Sequence, residues 1–556
     1  MKESLYTTKI IYPTKIVASN QSEDVGQLLI HKPLQVIMPC SGVTTLDADG
    51  WVVVDFGKEI YGNVRVLLGK REDSCKKLRI VLGESVAETF AQIEENSTAN
   101  DHSVRDAEYL CSGFADISTS RTGFRFARIH NEGGKTQVYA VAAESTIFSA
   151  ERKGFFRCND ENINEVAETA LYTATLCVQN GVIWDGIKRD RLVWMGDLHP
   201  EMLTLSQGYG AIEEMKNSLD YIAYYAPAYW VNLHPSYSAW WIICFTEYYM
   251  ISADEAYAKE KLHYVKEIVS EFRKVIQSDG KIDFSKSKLS CYEDCEFFFD
   301  WSTAQKEERK TGCASLIKIA MESAAKILEF FAEDGAIART VAADVSKFPM
   351  AETDSKAVEA FNFLSARKGN EVNEKLLSGG GKGMTSFMAY YILTAAAESG
   401  GTEQVLRMIK EFYGGMLSLG ATTFWEDFDV EWLKDSPQSI TDFPSAYKNI
   451  HRDYGKFCYK GVRHSLCHGW AAGVYAFLTK TVLGIRATEA GYKKIEIKPN
   501  LIGLQWAEGC VPTPYGEIYV KHEMKNGKIA STVKLPRGIT VAERNSEKAD
   551  RSGFKR

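Results

Sequence analysis

The chain has 556 residues, 45% of them hydrophobic and 25% charged, and its formal net charge is -7, which is the composition of a folded, soluble protein. A chain of this length outgrows one hydrophobic core, so roughly two to four domains are expected. The 66 Lys and Arg are spread among 73 Asp and Glu, which gives no basic surface for a phosphate backbone and excludes nucleic acid as the expected partner.

The first 14 residues carry Lys2, Glu3 and Lys9 and lack the apolar stretch of a signal peptide. No later segment has about 18 uninterrupted apolar residues, so no membrane span is expected. We therefore expect a cytoplasmic protein, or a periplasmic one if a leader has been removed.

Twelve cysteines are too dilute for a disulfide framework, and Cys177, Cys244 and Cys313 lie in apolar, helical contexts that predict free, buried thiols. Cys291 and Cys295 in CYEDC are closely spaced, but no second Cys or His pair nearby completes a zinc tetrahedron. The sequence predicts neither a metal nor a cofactor.

The N-terminal part, residues 1–150, has the pattern of a β-sandwich. Short runs rich in β-branched and aromatic residues are separated by Gly, Asp and Asn, which predicts strands. These runs are GWVVVDFG (50–57), NVRVLLG (63–69), KLRIVLG (77–83), GFRFARI (123–129) and QVYAVAA (137–143).

The middle part, residues 151–485, has helical periodicity. In NDENINEVAETALYTATL the apolar side chains recur at three-and-four spacing from Ile163 to Ala174, with Asn159 or Asp160 as the N-cap. Further helices are predicted at 262–276, 317–331, 355–367, 385–397, 403–417 and 465–481. No fixed repeat is visible, so a closed toroid of paired helices is favoured over a solenoid.

The pattern turns back to strands in a small C-terminal β domain, residues 486–545, followed by a tail at 546–556. KKIEIKP (493–499) and VPTPYGEIYVKHE (511–523) are strand-like, and an Asn526-Gly527 turn precedes KIASTVKLP.

Chemistry is concentrated in WDGIKRDRLVWMGD (184–197), which holds three Asp, two Arg, one Lys and two Trp. Such a loop can be a solvated turn with local ion pairs. The interleaved Trp184 and Trp194 favour sugar recognition instead, because aromatic faces stack on sugar C–H groups while Asp and Arg bind hydroxyls.

Two further clusters lie downstream. In GATTFWEDFD (420–429), Glu426 is flanked by Trp425 and Phe428, and burial there would raise the pKa of its carboxyl. In HSLCHGW (464–470) the histidines can equally be core residues. Tyr237 and Trp241 in PSYSAWW, and Trp301 in FDW, are weaker candidates for which core packing is an alternative. The sequence contains no G-x-S-x-G, P-loop or H-E-x-x-H motif. The motifs expected for acyl transfer, phosphate binding and zinc-dependent proteolysis are therefore absent.

In this order the clusters resemble the α-L-rhamnosidases of glycoside hydrolase family 78. The first signature of that family corresponds here to Asp185, Arg189, Asp190, Trp194, Gly196 and Asp197. Thr-Thr-x-Trp-Glu stands at 422–426 and Ser-Leu-x-His at 465–468, and VVVDFG (52–57) and VPTPYG (511–516) are similar to the family's β domains.

The resemblance implies a central (α/α)6 barrel flanked by N-terminal and C-terminal β-sandwich domains, and inverting hydrolysis of a terminal α-L-rhamnoside. Asp190 is then the general acid and Glu426 the general base. The residues implied to bind the sugar are Asp185, Arg189, Trp194, Asp197 and His468, and Tyr237, Trp241 and Trp301 are added as an aromatic wall. A carbohydrate is the expected partner, and an oligomer is not predicted.

This chain departs from the family at the acid position, where relatives typically carry Glu and the side chain here is the shorter Asp190. Arg189 and Arg191 flank it and would lower its pKa unless the loop turns them away. Asp185, Asp197 and Glu201 are the reserve candidates for the acid.

Two alternatives stay open. A glycosidase of the same barrel could act on another sugar, either a uronic acid bound by Lys188, Arg189 and Arg191 or a deoxysugar. A non-catalytic carbohydrate-binding homologue is the other, since the acid position is changed.

Overall fold

The structure, a computed structural model, describes residues 5–36, 38, 40–72, 76–92, 105–225, 230–287, 296–303, 305–367, 373–456 and 459–542. Strands occupy the chain as far as Cys158, helices dominate as far as Val482, and strands return from Ile485. This is the predicted order of β, helical and β parts, and the domain boundaries stay a prediction. The pair Cys291 and Cys295 and the tail lie outside the described residues.

The N-terminal strands form an eight-stranded sheet within the described ranges, with the order β1-β8-β3-β7-β4-β5 and with β2 and β6 also paired to β3. They are β1 (Tyr6–Ile11), β2 (Lys15–Glu23), β3 (Thr44–Arg71), β4 (Lys76–Gly83), β5 (Arg105–Cys111), β6 (Asp116–Ser118), β7 (Thr122–Glu132) and β8 (Thr136–Phe148).

The strands predicted at 50–57 and 63–69 form one continuous strand, β3, instead of two. Its pairing with β7 shifts register between Asp55 and Ile60, and Gly57 in this stretch has φ 89°. A glycine adopts that conformation without a Cβ clash, so the strand bends without ending. Alternation along β3 then places Val52 and Val54 in one core and Val53 in another.

The helical part contains a closed ring of helices. Within the described residues α2 packs on α4, α4 on α6, α6 on α8, α8 on α10, α10 on α12, and α12 on α2. The helices are α1 (Glu161–Cys177), α2 (Met195–Tyr209), α3 (Glu213–Tyr225), α4 (Pro235–Ser252), α5 (Glu255–Val275), α6 (Lys306–Phe330), α7 (Ala336–Val345), α8 (Lys356–Leu364), α9 (Glu374–Leu377), α10 (Ala389–Glu398), α11 (Glu403–Ser418) and α12 (Gly473–Phe477).

Local signals explain where several helices begin. Asp160 caps α1 by accepting hydrogen bonds from the amides of Asn162 and Ile163, as predicted. Pro235 occupies the first turn of α4, where its missing N–H costs nothing. The predicted helix at 465–481 is broken into a 3-10 turn (Gly469–Ala472), α12 and a π-helical turn (Leu478–Val482).

The C-terminal strands form two sheets, with the orders β16-β15-β14-β9 and β12-β13-β17 in the described part. The strands are β9 (Phe155–Cys158), β12 (Ile485–Ala487), β13 (Lys494–Ile497), β14 (Trp506–Thr513), β15 (Gly516–Lys525), β16 (Lys528–Lys534) and β17 (Thr540–Val541), and β10 (Val178–Gln179) and β11 (Val182–Ile183) form a separate hairpin. Strand β9 precedes α1 yet pairs with β14, so the chain enters the helical part through the C-terminal sheet.

The predicted turn at Asn526 and Gly527 joins β15 to β16, with both residues at positive φ, as a tight hairpin requires. Cys177, Cys244 and Cys313 are buried free thiols, as predicted. None of the described helices is long and apolar enough to cross a membrane.

Candidate active site

The loop from Trp184 to Trp194 connects the β10–β11 hairpin to α2 and is closed on itself by Asp185. The amide of Asp185 donates to the carbonyl of Leu192 (2.9 Å), and its Oδ1 accepts from the amides of Gly186 (2.9 Å) and Leu192 (3.0 Å). Because Asp185 is buried and serves both ends of the loop, it fixes the path of the residues between them.

The tip of this loop has unusual backbone geometry. Asp190 and Arg191 both have φ 53°, in the left-handed region that residues with a Cβ seldom adopt. Such a conformation persists only where surrounding contacts hold it, and strained residues of this kind cluster at functional sites. The Asp190 side chain is 31% exposed, so its carboxylate lies at the open side of the site.

Glu426 lies at the closed side. It follows α11, and its amide donates to the carbonyl of Ser465 (2.9 Å) while the amide of Ser465 donates to Glu426 Oε2 (2.8 Å). The indole of Trp470 donates to the Glu426 carbonyl (3.2 Å). Only 2% of the Glu426 side chain is exposed, so the segment around Ser465 sets the position of this carboxylate.

Arg189 joins the two predicted catalytic carboxylates. Its guanidinium donates from Nη1 to Asp190 and from Nη2 to both carboxylate oxygens of Glu426. Nε donates to the carbonyl of Arg463 (2.8 Å), and the guanidinium lies 3.9 Å from the ring centroid of Tyr459. Since one planar fork reaches both carboxylates, their nearest oxygens are at most about 8 Å apart.

Asp197 and His468 form a hydrogen-bonded pair near Glu426. Asp197 lies in the first turn of α2, and its Oδ1 is 3.1 Å from His468 Nε2. Burial raises the pKa of the Asp197 carboxyl. Burial opposes the charged form of His468, but Glu426 and the hydrogen-bonded Asp197 outweigh it and raise the His468 pKa. The imidazole is therefore held close to two acidic side chains.

Asp185 and Glu201 are the other carboxyls of this region. Burial, reinforced by nearby Asp197, raises the pKa of Asp185 to about 8. Burial also raises the pKa of Glu201 well above its usual range, and its Oε1 has no hydrogen-bond partner among the described residues. A neutral carboxyl is the form that such surroundings favour at both positions.

A row of aromatic rings extends from the loop toward solvent. The ring of Trp194 is 5.6 Å from that of Tyr237, Tyr237 stacks on Phe298 at 5.9 Å, and Phe298 is 5.2 Å from Trp301. Trp301 is 51% exposed and leaves part of its ring open. Partly exposed aromatic rings can form an apolar wall for the C–H face of a sugar.

The prediction that Trp241 belongs to this wall is wrong. Its indole is fully buried, stacks on Phe245 at 5.1 Å and donates to the carbonyl of Leu219 (3.3 Å). Trp241 follows Tyr237 by one helical turn, and that turn carries it into the core away from Trp194. It is therefore a packing residue of α4.

The basic residues of the loop have partners within the protein. Lys188 contacts Glu84 and Glu88, Arg189 contacts Asp190 and Glu426, and Nη1 of Arg191 lies 3.4 Å from the carbonyl of Arg121. Arg191 thus turns away from the acid position, whereas Arg189 does not. This use of Lys188 and Arg189 disfavours a uronic acid as the sugar that they bind.

Sequence reasoning missed Phe298, Tyr459 and Phe387, whose ring stacks on Trp470 at 5.1 Å. Phe298 stands directly before the FDW run, but nothing in the sequence separates it from a core phenylalanine. Tyr459 had no local signal, since its partner Arg189 is far away in the chain.

Two family models match the chain. The bacterial alpha-L-rhamnosidase 6 hairpin glycosidase domain matches residues 151–375, and the bacterial alpha-L-rhamnosidase C-terminal domain matches residues 484–542, together just over half of the chain. The chain belongs to the bacterial α-L-rhamnosidase family. Asp185, Asp190 and Asp197 lie within the first match, whereas Glu426 and His468 lie between the two.

The similar proteins and solved structures are also rhamnosidases. An alpha-L-rhamnosidase of Formosa agariphila is 20% identical, over 94% of this chain and 57% of its own length. The structure of a GH78 family rhamnosidase of Bacillus sp. GL1 superposes with a TM-score of 0.71 at 20% identity, covering 93% of this chain and 55% of that one. A rhamnosidase from Klebsiella oxytoca with rhamnose bound gives 0.68 at 16% identity, covering 86% and 96%.

These likenesses establish a shared fold. The chain spans a little over half the length of the Formosa relative and of the Bacillus structure, and nearly the full length of the Klebsiella one.

Proposed function

We propose that this protein hydrolyses terminal α-L-rhamnosides with inversion at the anomeric carbon. Asp190 is assigned as the general acid that protonates the leaving oxygen, and Glu426 as the general base that activates water. The observation that carries the proposal is the guanidinium of Arg189, which contacts both carboxylates. Inverting glycosidases need their two carboxyl groups about 6.5 to 9.5 Å apart, a spacing compatible with one shared guanidinium.

The different exposure of the two carboxylates supports these roles. Glu426 is buried and receives hydrogen bonds from Arg189 and from the Ser465 amide, donors that only an ionised carboxylate can satisfy together. A general base must be ionised. Asp190 lies at the open side, where the leaving group departs into solvent. The shorter reach of Asp compared with Glu is offset by the strained loop tip that presents it.

Sugar binding is assigned to polar and aromatic groups close to the two carboxylates. His468 and Asp197 offer a donor and an acceptor for hydroxyl groups, and the rings of Trp194, Tyr237 and Trp301 offer an apolar wall for the C6 methyl group and C–H faces. The rhamnose complex of the Klebsiella oxytoca relative supports rhamnose as the sugar.

The proposed frame is an (α/α)6 barrel between two β-sandwiches. The closed ring of α2, α4, α6, α8, α10 and α12 supports the six inner helices of such a barrel, with the odd-numbered helices outside it. The bend in β3 supports a folded, two-layered N-terminal sheet.

Asp185 is a second candidate for the acid, because its raised pKa of about 8 would keep a proton at neutral pH. Against this role, its Oδ1 is already bound to two amides that close the loop. We therefore assign Asp185 to loop geometry and Asp190 to proton transfer.

A panel of 4-nitrophenyl glycosides tests the proposal. We expect hydrolysis of the α-L-rhamnoside and not of the α-L-fucoside, β-D-glucuronide or β-D-glucoside. Glu426→Gln should lower kcat on the rhamnoside by about 10²–10⁴-fold, and Trp241→Phe, a core change with no site contact, should leave it close to wild type. Hydrolysis of the glucuronide alone would favour a uronic acid, and sugar binding without any hydrolysis would favour the non-catalytic homologue.

A further inference from the structure

A buried ammonium lies directly before Arg189 in the chain. Lys188 Nζ is 2.9 Å from Glu88 Oε1 and 3.2 Å from Glu84 Oε2, and all three side chains are almost completely inaccessible to solvent. Glu84 and Glu88 follow strand β4, so they belong to the N-terminal part, whereas Lys188 belongs to the loop of the helical part. Burying three charges is costly, and well-packed apolar side chains could give similar stability.

The same ammonium holds a second segment. Lys188 Nζ donates to the carbonyls of Val462 (2.6 Å) and His464 (3.1 Å). Glu84 accepts from the Ser465 hydroxyl (3.1 Å) and from the Leu466 amide (2.7 Å). Since the Ser465 amide binds Glu426 Oε2, Glu84 and Lys188 are two contacts away from the proposed base.

The N-terminal sheet also holds the backbone of the loop. The amide of Gly123 donates to the carbonyl of Ile187 (2.9 Å), and the Thr122 hydroxyl (3.3 Å) and Arg105 Nη2 (3.2 Å) donate to the carbonyl of Lys188. These contacts end immediately before Arg189 and Asp190. The loop that carries the proposed acid is thus anchored on strand β7.

The cation of this cluster is supplied by the protein. Glu84, Glu88 and His451 bring ligand atoms within 4.8 Å of one another, as a metal site would. The Lys188 ammonium pairs with both carboxylates, and His451 Nδ1 is 2.8 Å from the Ser85 hydroxyl. The arrangement serves to join segments of the chain.

We infer that Lys188, Glu84 and Glu88 form a positioning unit through which the N-terminal sheet sets the distance between Asp190 and Glu426. Its catalytic consequence rests on the proposed function. Lys188 touches neither carboxylate of the acid–base pair, so it acts through the segments 185–192 and 462–468. Loss of the unit shifts the reacting groups, whereas Asp197 and the rings of Trp194, Tyr237 and Trp301 lie outside these segments and stay in place, so kcat falls more than KM rises.

The decisive variant is Lys188→Met combined with Glu88→Gln, which removes the ammonium without leaving Glu88 as an unpaired buried charge. The matched control is Lys480→Met with Glu247→Gln, because Lys480 Nζ donates to Glu247 Oε1 (2.5 Å) in a pair that joins α4 to the π-helical turn. The control removes one lysine–glutamate pair that is partly buried, whereas the Lys188 variant also takes the ammonium from Glu84, whose carboxylate keeps its hydrogen bonds from Ser465 and Leu466.

We expect the Lys188 variant to lower kcat on 4-nitrophenyl α-L-rhamnoside by about 10- to 100-fold with KM changed less than about threefold. Amide hydrogen exchange read by mass spectrometry should accelerate at 185–192 and 462–468. The Lys480 variant should change neither kcat nor exchange in those segments, whatever its effect on the midpoint of thermal unfolding.

Unchanged kcat and unchanged exchange in a folded Lys188 variant would overturn the inference, and so would equal losses in the control. If the double variant does not fold, Glu84→Gln is used instead, since the Glu84 carboxylate contacts Ser465, Leu466 and Lys188. Absence of hydrolysis by the wild type would remove the proposed function, and the exchange measurement, which needs no activity, then decides the positioning role by itself.

Discussion

Arg189 is the residue around which the proposed site is organised. It contacts the partly exposed carboxylate of Asp190 and the buried one of Glu426 with the same guanidinium, while Arg463 and Tyr459 fix its position. The sequence identified Arg189, Asp190 and Glu426 through motifs that lie far apart in the chain. It did not indicate that Arg189 bridges the other two, because a contact over more than 230 positions leaves no local pattern.

The different positions of Tyr237, beside the site loop, and Trp241, in the core, have a physical reason. The two residues share a helix face, and a four-residue spacing cannot tell which turn of α4 lies at the mouth of a site. The structure places Tyr237 beside Trp194 and Trp241 beside Leu219. Tertiary packing alone decides which turn of a helix lies near a site.

Changing Asp190 to Asn should affect substrates according to their leaving group. A nitrophenol departs without protonation, whereas an alcohol needs a proton from the acid. We therefore expect Asp190→Asn to lower kcat/KM for methyl α-L-rhamnoside about 10²–10⁴-fold and to affect the 4-nitrophenyl rhamnoside much less. Equal losses on both substrates, or the selective loss in Asp185→Asn instead, would move the acid role away from Asp190.

The raised pKa of Asp185 predicts how the stability of the folded state depends on pH. Its pKa is raised from 3.8 to about 8, so the folded state binds the proton more tightly than the unfolded state. This contribution to stability is complete below pH 3.8 and is lost as the pH rises through 8, by at most about 1.4 kcal/mol per pH unit.

Asn in place of Asp185 keeps an acceptor for the two amides and does not titrate. Urea unfolding should therefore show that Asp185→Asn becomes progressively more stable relative to wild type between pH 5 and 8. A stability difference that stays constant over this range would contradict the assigned pKa.

The loops of the site are held by elements that are far apart in sequence. The loop 184–194 lies against β7, and the segments around Glu426 and His468 run beside it, with the His468 amide donating to the carbonyl of Phe424 (3.0 Å). Gly123 is essential to this arrangement. A Cβ built on Gly123 would lie 2.6 Å from Cγ1 of Ile187, which is too close for any side chain.

Gly123→Ala should therefore push the loop away from the sheet. We expect a loss of about 1–3 kcal/mol in the free energy of unfolding and a lower kcat on the rhamnoside. Gly26→Ala is the control, because a Cβ there meets no atom within 4 Å. Denaturant unfolding and steady-state kinetics of both variants check this, and equal behaviour of the two would contradict the close approach.

Several of the predicted helices have one apolar face. The positions of α1, α5, α6, α8 and α11 follow from three-and-four spacing and from caps such as Asp160 and Ser355. Helix α4 is apolar on all sides because it is buried, so it gave no periodic signal. The helix predicted at 465–481 is interrupted, because the Gly469 amide donates to the carbonyl of Asp185 and the Trp470 indole donates to the carbonyl of Glu426.

At the scale of the whole molecule, the sequence predicted three parts in the correct order and could not predict how they are joined. Arg125 joins the N-terminal sheet to the helical part. Its guanidinium pairs with Asp55 in the sheet (2.8 and 2.9 Å) and donates to the carbonyl of Gly420 after α11 (2.9 Å). The Val86 amide likewise donates to the carbonyl of Ile440 (2.8 Å). Such contacts depend on tertiary structure, which a pattern of hydrophobic residues does not encode.

Separation of the N-terminal sheet from the helices would expose buried charges without their partners, so we expect the two parts to unfold together. Hydrogen exchange in increasing urea should show β3, β7, α2 and α12 losing protection at the same midpoint. Arg125→Met should weaken the junction and separate the midpoints. Loss of protection in the sheet well before the helices in the wild type would contradict this coupling.

The central claim is that Asp190 and Glu426 act from opposite sides of a rhamnoside with a water molecule between them. Proton NMR of the first minutes of hydrolysis of 4-nitrophenyl α-L-rhamnoside tests it directly, because the anomer released is read before mutarotation mixes the two. The account predicts that β-L-rhamnose appears first, and that Glu426→Gln releases neither anomer at a comparable rate. Initial release of α-L-rhamnose, or full activity of Glu426→Gln, would contradict it.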